Sequence, residues 1–464
     1  MDIDKLQKVY FIGIGGIGMS AIARFFKSIG KDVSGYDRTS TDLTKKLINE
    51  GMDIHFFDDV NLIPENFKEI NEIDRNLIVY TPAIQDNHKE LNYFKKNGFV
   101  LLKRSEVLGL ISNKQKGIAV AGTHGKTTVS TIIAHLLKQS DKDCSAFLGG
   151  ISKNYNSNLL LSEKSNYVVV EADEFDRSFL KLYPYLEVIT SVDADHLDIY
   201  KNKEQLKHSY KQFIKQIKPN GKLIIKKGID LNLNDDKKIK RFTYSLDSEA
   251  DFFAKNITLE NGKYWFDIVT PTTVIKNLSL GLTGLMNVEN AVAAVAVAYM
   301  VGVGEESLRL SLKSFLGVKR RFDFIIKKDD LTYIDDYAHH PEEIKACINS
   351  VRKLFPGRKI TGVFQPHLYS RTRYFADEFA KSLDLLDELI LLEIYPARES
   401  PIKGINSKLI LDKVSLKEKT LCPFYKLIEK FKEKELEILL TLGAGDIDKL
   451  VEPIKKQLLI NKEK

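Results

Sequence analysis

The stretch Ile118-Ala-Val-Ala-Gly-Thr-His-Gly-Lys-Thr-Thr-Val129 decides how this chain is read. A short apolar run turns into Gly122-Thr123-His124-Gly125-Lys126-Thr127-Thr128, and the helical pattern VSTIIAHLLK follows. A strand that feeds a helix through glycine, lysine and threonine is a P-loop arrangement. Its backbone N–H groups wrap the β- and γ-phosphates of a nucleotide, Lys126 neutralises them, and the Thr127 hydroxyl can sit on Mg²⁺. The strict motif wants glycine at position 120, where this chain has Val120, so the generic pattern is only partly met.

A P-loop needs acids at the ends of neighbouring strands to hold the metal. The run YVVV leads into Glu171-Ala172-Asp173-Glu174-Phe175-Asp176, and EVITSV leads into Asp193-Ala194-Asp195-His196-Leu197-Asp198. Both clusters fall at the carboxyl ends of expected parallel strands, where α/β sheets bind ligands. Either one alone could be a solvated loop or a helix N-cap. Two of them behind a P-loop, one with a histidine suited to metal ligation, point to a nucleotide–metal site.

Toward the N-terminus, Gly13-x-Gly15-x-x-Gly18 follows the strand VYFI and opens a helix, and Asp37 ends the next strand. This is the dinucleotide fingerprint: the glycines allow a tight turn and close approach of a diphosphate, and Asp37 accepts from ribose hydroxyls. The pattern specifies a diphosphate with a sugar attached, and it is equally compatible with a ligand-free tight turn. A nicotinamide dehydrogenase would leave the P-loop and both acidic clusters unexplained.

Toward the C-terminus, Asp335-Asp336-Tyr337-Ala338-His339-His340-Pro341 ends one strand and Gln365-Pro366-His367 the next, with Ser370-Arg371-Thr372-Arg373 after it. Five of the nine histidines (124, 196, 339, 340 and 367) fall in these strand-end motifs, a concentration that packing alone does not require. Each of His339, His340 and His367 could equally be a helix cap or support a ligand from behind. The adjacent pair resembles part of a zinc site, but no third and fourth ligand stands at suitable spacing. Lys319-Arg320-Arg321 reads as a solvated linker or as a basic hook that reaches a γ-phosphate.

The whole chain of 464 residues fits about three domains at roughly 150 residues each. Its 43% hydrophobic content supports buried cores and excludes a disordered or collagen-like chain. Seventy basic against 63 acidic residues leave only +7, and no basic block is long enough to argue for nucleic acid. Cys144, Cys347 and Cys422 are far apart, which excludes a disulfide framework and a zinc ribbon and suits a reducing cytosol. The start MDIDKLQKVYFIG is not a signal peptide, and the most apolar run, 291–303, is too short to span a bilayer. A cytoplasmic protein with no membrane insertion is expected.

Alternation of β-rich runs with amphipathic stretches predicts an α/β fold with mostly parallel sheets. Strands are expected at VYFI, DVSGYD, LIVYTPA and FVLLKR; at IAVAG, YVVVEAD, LEVITSVD and KLIIKKG; and at TYIDD, KITGVFQPH, ELILLEIYPA and EILLTLGAG. ITLENGKYWFDIV reads as a hairpin around Asn261-Gly262, a small antiparallel patch on the middle domain. The expected domains cover 1–114, 115–319 and 320–464.

GIGGIGMS, AGTHGKTT, EADEFD, DHLD, RRFD, DDYAHHP, FQPHLYSRT and GAGDI, in this order along nearly the whole chain, resemble the Mur ligases. GIGGIGMS with DDYAHHP points to the alanine-adding branch. The resemblance implies an N-terminal Rossmann-like domain for a UDP-sugar, a central P-loop ATPase domain and a C-terminal Rossmann-like domain. It implies ATP-driven amide formation between UDP-N-acetylmuramate and L-alanine through an acyl phosphate, by a monomer or homodimer, with the C-terminal domain closing over the others.

Carried over residue by residue, Gly13, Gly15, Gly16 and Gly18 would hold the UDP-sugar diphosphate, and Gly122 to Thr128 would hold ATP. Thr127 and Glu171 would bind one Mg²⁺ and His196 a second. Asn287 and Asn290 lie in the stretch that contacts adenine, while Arg321 and Asp336 approach the nucleotide. His367 and Arg371 fall where the family receives the amino acid, with Arg371 suited to its carboxylate. Two positions depart from the common pattern: Met286 stands where many relatives have His, and Leu368 where many have Arg. Lys211 lies near the carbamylated lysine of later-step relatives, or is simply a helix-surface lysine. A salvage ligase that adds a preformed tripeptide usually lacks the GIGGIGMS form. A non-catalytic nucleotide-binding protein would tend to have lost one of Lys126, Thr127, Glu171 and His196.

Overall fold

The computed structural model describes residues 2–193, 197–200, 202–233, 239–397, 399–432 and 434–463. Three sheets organise the chain, and each has its glycine-rich loop on an interior strand.

The first sheet holds β1 (Lys8–Ile12), β2 (Asp32–Tyr36), β3 (Asp53–His55), β4 (Asn76–Tyr80) and β5 (Val100–Lys103) in the order β3-β2-β1-β4-β5. Every neighbouring pair is parallel. Val9 to Ile12 are fully buried, the near-continuous apolar run of a strand covered on both faces. The chain passes from β1 to β2 on one side and returns to β4 on the other, so a crevice opens beyond the end of β1. β3, only three residues long, carries no periodicity to announce it.

The second sheet has ten strands: β6 (Lys116–Ala121), β7 (Ser145–Ser152), β8 (Ser157–Leu160), β9 (Tyr167–Glu171), β10 (Leu186–Ile189), β11 (Lys222–Lys226), β12 (Lys240–Ser245), β13 (Phe252–Glu260), β14 (Lys263–Val269) and β15 (Val274–Ser279). Their order is β15-β14-β13-β12-β11-β10-β6-β9-β7-β8. The strands from β13 to β7 pair in parallel, while β14–β15 and β7–β8 are antiparallel. Between β13 and β14, Asn261 and Gly262 both take positive φ (51° and 73°), which is what a tight Asn-Gly hairpin turn demands. The helix Lys126–Lys138 leaves the P-loop with Thr127 to Leu137 all buried. His135 within it is a packed residue: its ring nitrogens lie 3.0 Å from the Tyr155 and Ser314 hydroxyls, and burial pulls its pKa down to about 4. The helix Ile17–Ser28 of the first domain is tied to β8 by Asn158, whose amide donates to the Ile17 carbonyl (2.6 Å) and the Ser20 hydroxyl (2.9 Å).

The third sheet holds β16 (Asp323–Lys327), β17 (Thr332–Asp336), β18 (Ile360–Phe364), β19 (Glu388–Leu391), β20 (Lys419–Leu421) and β21 (Ile438–Leu442) in the order β16-β17-β21-β18-β19-β20. Only β16 is antiparallel. Ile334 and Leu440 belong to one apolar core, and Tyr333 and Leu439 to another, so successive side chains serve opposite faces of a sheet covered on both sides. Met286 packs against the first of these cores. All three cysteines are buried and free. No described helix is long and apolar enough to cross a membrane.

Candidate functional site

The P-loop leaves β6 between β9 and β10, and both neighbours hold it. Gly122 (φ 135°) and Gly125 (φ 82°) take backbone conformations that side chains resist. A Cβ on Gly122 would also lie 2.1 Å from the Thr190 hydroxyl. From the end of β10, Ser191 Oγ accepts from His124 N (2.8 Å), and the Asp193 backbone exchanges hydrogen bonds with Thr123 Oγ1 (2.9 and 3.1 Å). The start of the second acidic cluster is therefore a scaffold for the loop. Thr127 and Thr128 sit buried in the first turn of the helix, and Asn290 places Oδ1 3.1 Å from where a Cβ of Gly125 would stand.

The first acidic cluster divides its labour. Glu171 ends β9 and presses Oε2 to within 2.1 Å of where a Cβ on Gly149 would be, so β7 needs a glycine there to admit the carboxylate. That oxygen is buried and has no hydrogen-bond partner among the described residues. Glu174, with a side chain only 1% exposed, takes Lys126 instead, at 2.8 and 3.1 Å, while the third donor of Lys126 goes to Gly122 O at 2.7 Å. Burial alone would depress the Lys126 ammonium, but Glu174, Asp173 and Glu171 outweigh it and hold its pKa above the ordinary value. Asp173 lies 3.6 Å from Arg104, and Asp176 pairs with Lys103 at 2.7 Å. His196 lies outside the described residues. Lys211 sits half-buried in the helix Lys203–Ile214.

In the first domain, Gly13 takes φ 91° and Gly16 N turns back onto Gly13 O at 3.3 Å. Asp37 reaches across to accept from Gly15 N (2.8 Å) and from Thr39 N (3.1 Å), so in this structure it closes the loop. Gly18 is overlain by a residue that the motif did not reveal: a Cβ there would stand 2.7 Å from Arg104 Nη1. Arg104 thus lies between the glycine loop and Asp173.

In the third sheet the expected constellation assembles at the carboxyl ends of β17, β21 and β18. His367 lies with Nδ1 3.3 Å from Nη1 of the buried Arg371, stacks on Tyr395 and meets His339 edge-on. Arg320 and Arg321 both lie over the Tyr337 ring. Asp336 accepts from Phe322 N (2.6 Å) and Ala338 N (2.7 Å), and burial pushes its pKa up to about 6 against the opposing pull of Arg321. Asn287 is buried and donates to Thr283 O (2.7 Å). His340 packs on Phe375, and Glu343 accepts from the backbone of His339 and His340. That is a helix start, and no metal cluster stands among the described residues. Leu368 is 4% exposed at φ 72°, so its side chain is packed away where an arginine would have offered a charge.

Comparison with known proteins gives three family matches: "Mur ligase family, catalytic domain" over residues 8–116, "Mur ligase middle domain" over 120–298 and "Mur ligase, glutamate ligase domain" over 320–447. The UDP-N-acetylmuramate–L-alanine ligase of Parabacteroides distasonis is 53% identical over 458 residues, 99% of this chain and 98% of that protein. The protein of the same name from Porphyromonas gingivalis is 50% identical over 98% of this chain and 99% of its own length. Among solved structures, the UDP-N-acetylmuramate–alanine ligase of Thermotoga maritima superposes with a TM-score of 0.80 at 26% identity, covering 98% of this chain and 99% of that one. A murein peptide ligase from Psychrobacter arcticus shares the fold, with a TM-score of 0.69 at 21% identity over 98% of both chains.

Proposed function

The chain belongs to the Mur ligase family, and from that premise we propose that it joins L-alanine to the carboxylate of UDP-N-acetylmuramate at the expense of ATP, in peptidoglycan precursor synthesis. The observation that carries the choice of substrates is identity of 50–53% over almost the full length to relatives named for that reaction.

A carboxylate is a poor electrophile and phosphate a good leaving group. The muramate carboxylate therefore attacks the γ-phosphorus of ATP, ADP leaves, and an acyl phosphate forms. The amine of alanine adds to the acyl carbon, and the tetrahedral intermediate collapses with loss of phosphate. The chain's task is to gather negative charge and hold it still. Gly13, Gly15, Gly16 and Gly18 hold the sugar-nucleotide diphosphate at a helix N-terminus, with Asp37 fixing the loop from behind. Gly122 to Thr128 cradle the triphosphate, Lys126 neutralises it, and Asn287 and Asn290 serve the adenine. Glu171 Oε2, buried and without a hydrogen-bond partner among the described residues, suits a hard cation, so Thr127 and Glu171 would hold Mg²⁺. When bound, the ion offsets charge on the β- and γ-phosphates. His196 is assigned to a second ion. Arg321 and Asp336 serve the nucleotide, while His367 takes the ammonium proton of alanine and Arg371 holds its carboxylate.

The reaction is placed in the cytoplasm and carried out by a monomer or homodimer. The test is phosphate release from ATP and Mg²⁺ with UDP-N-acetylmuramate, adding L-alanine, a preformed tripeptide, or neither. Release that requires both the UDP-sugar and L-alanine is expected. Release only with tripeptide would reassign the chain to salvage, and no release with either acceptor would sink the ligase reading.

A further inference from the structure

The P-loop lysine is already spoken for. An ammonium has three protons, and those of Lys126 go to Gly122 O and to both oxygens of Glu174. Glu174 is not a surface carboxylate that happens to lie within reach: its side chain is 1% exposed, and its backbone is pinned from two sides. Tyr200, itself fully buried, donates its hydroxyl to the Glu174 carbonyl, and Arg177 N donates to the same oxygen at 3.0 Å. Arg177 and Asp176 achieve this by adopting left-handed φ values (52° and 53°), an uncommon conformation for both residue types and one that turns the chain sharply after Glu174. Glu171, three residues before Glu174, points elsewhere, against Gly149.

We propose that Glu174 is a positioning residue that parks Lys126 between turnovers: nucleotide phosphates engage the lysine by displacing it from Glu174, and Glu174 takes it back when product nucleotide leaves. The inference rests on the ATP-site reading above and adds to it a residue acting through the lysine. Two consequences follow from charge. The carboxylate competes with phosphate for one ammonium, so it weakens the grip on nucleotide. It also gives the lysine somewhere to go, so ADP is not retained by a buried unpaired cation.

The experiment measures ADP and ATP affinity of the full chain by NMR titration into the millimolar range, alongside steady-state kinetics. Glu174→Gln keeps the shape and removes the charge. It should bind ADP about tenfold more tightly, lower the KM for ATP and not raise kcat, because product release slows. Affinity for UDP-N-acetylmuramate serves as the control and should not move. A cycle with Lys126→Met isolates the route: in that background Glu174→Gln should leave ADP affinity unchanged, since there is no lysine to release. Tyr200→Phe, which loosens the Glu174 backbone, should shift ADP affinity in the same direction by about twofold and carries the test if Glu174→Gln fails to fold. Unchanged or weaker ADP binding in a folded variant overturns the proposal, as does an equal gain in the Lys126→Met background, which would mean direct repulsion of phosphate. A wild-type chain that binds no nucleotide would instead indict the ATP-site reading; a wild-type chain that turns over beside an unresponsive Glu174→Gln indicts the parking role alone.

Discussion

Gly15→Ala separates the two nucleotide loops by sterics alone. Gly15 is not among the glycines with positive φ, so alanine meets no backbone penalty there. The obstacle is space: its Cβ would stand 2.6 Å from Thr44 Cγ2 and 2.8 Å from Asp37 Oδ2, closer than such contacts occur. The loop must move, and the hydrogen bond from Gly15 N to Asp37 (2.8 Å) is the first to go. A hydrogen bond to a charged group is worth about 1.5–3 kcal/mol. At 1.4 kcal/mol per factor of ten, affinity for UDP-N-acetylmuramate should fall about 10- to 100-fold. ATP affinity should stay within about twofold, because the P-loop is on another sheet. Thr44→Ser added to Gly15→Ala removes the nearer obstacle. It keeps the hydroxyl that caps the helix Asp42–Asn49, so it should recover part of the loss at a stability cost of about 1 kcal/mol for the buried methyl. Isothermal titration with each ligand reads all of this. Gly15→Ala that binds the UDP-sugar like wild type, or a double variant that gains nothing, would refute the argument.

Lys126→Ala should abolish phosphate release while UDP-sugar affinity stays at the wild-type value, read by the same titration. Arg371→Lys gives up the planar fork beside His367 and should raise the KM for L-alanine about tenfold with the KM for ATP unchanged, measured by steady-state kinetics. Glu187→Leu should stabilise the protein. Glu187 sits in β10 opposite Ala119 and Leu223, fully buried, and neither carboxylate oxygen has a hydrogen-bond partner among the described residues. Burial pushes its pKa well above the ordinary 4.5, so the native chain holds a proton that the unfolded chain has lost. Its contribution to stability therefore declines as pH rises past 4.5. The variant should be ahead by about 1–3 kcal/mol at pH 8 and by less near pH 4 in denaturant titrations; an equal gap at both would exclude Glu187 as the source.

The parts that were legible in the sequence are contiguous. Gly13 to Gly18, Gly122 to Thr128 and Asp335 to Pro341 each announce a strand end and a turn within a few residues, and the three sheets form around them. What could not be read is which side chain meets which across a crevice. EADEFD offered four acids with no ranking; the fold sends Glu171 to Gly149, Asp173 toward Arg104, Glu174 to Lys126 and Asp176 to Lys103. The left-handed pair Asp176-Arg177 turns the chain within this cluster, and arginine gives no signal for such a conformation. Ser191 and Thr190, which hold the P-loop, are ordinary hydroxyl residues of a strand end. The three-residue strands β3 and β20 are too short for a period of two to register.

The placing of chemistry by topology also bears on the two departures, Met286 and Leu368. In all three sheets the loop leaves an interior strand flanked by parallel neighbours: β1 between β2 and β4, β6 between β10 and β9, β21 between β17 and β18. Each crevice is therefore lined by backbone N–H groups and by the first residues after three strands, whatever the side chains behind them. In the third sheet, Gly443 (φ 145°) ends β21, its carbonyl accepts from Arg320 (2.6 Å), and Gln365 binds Asp446 (2.8 Å) and Ile447 N (2.9 Å) across the turn. Met286 packs against the apolar core of this sheet, and Leu368 is buried. The crevice built by the strand order keeps its backbone lining whatever side chain stands at these two positions.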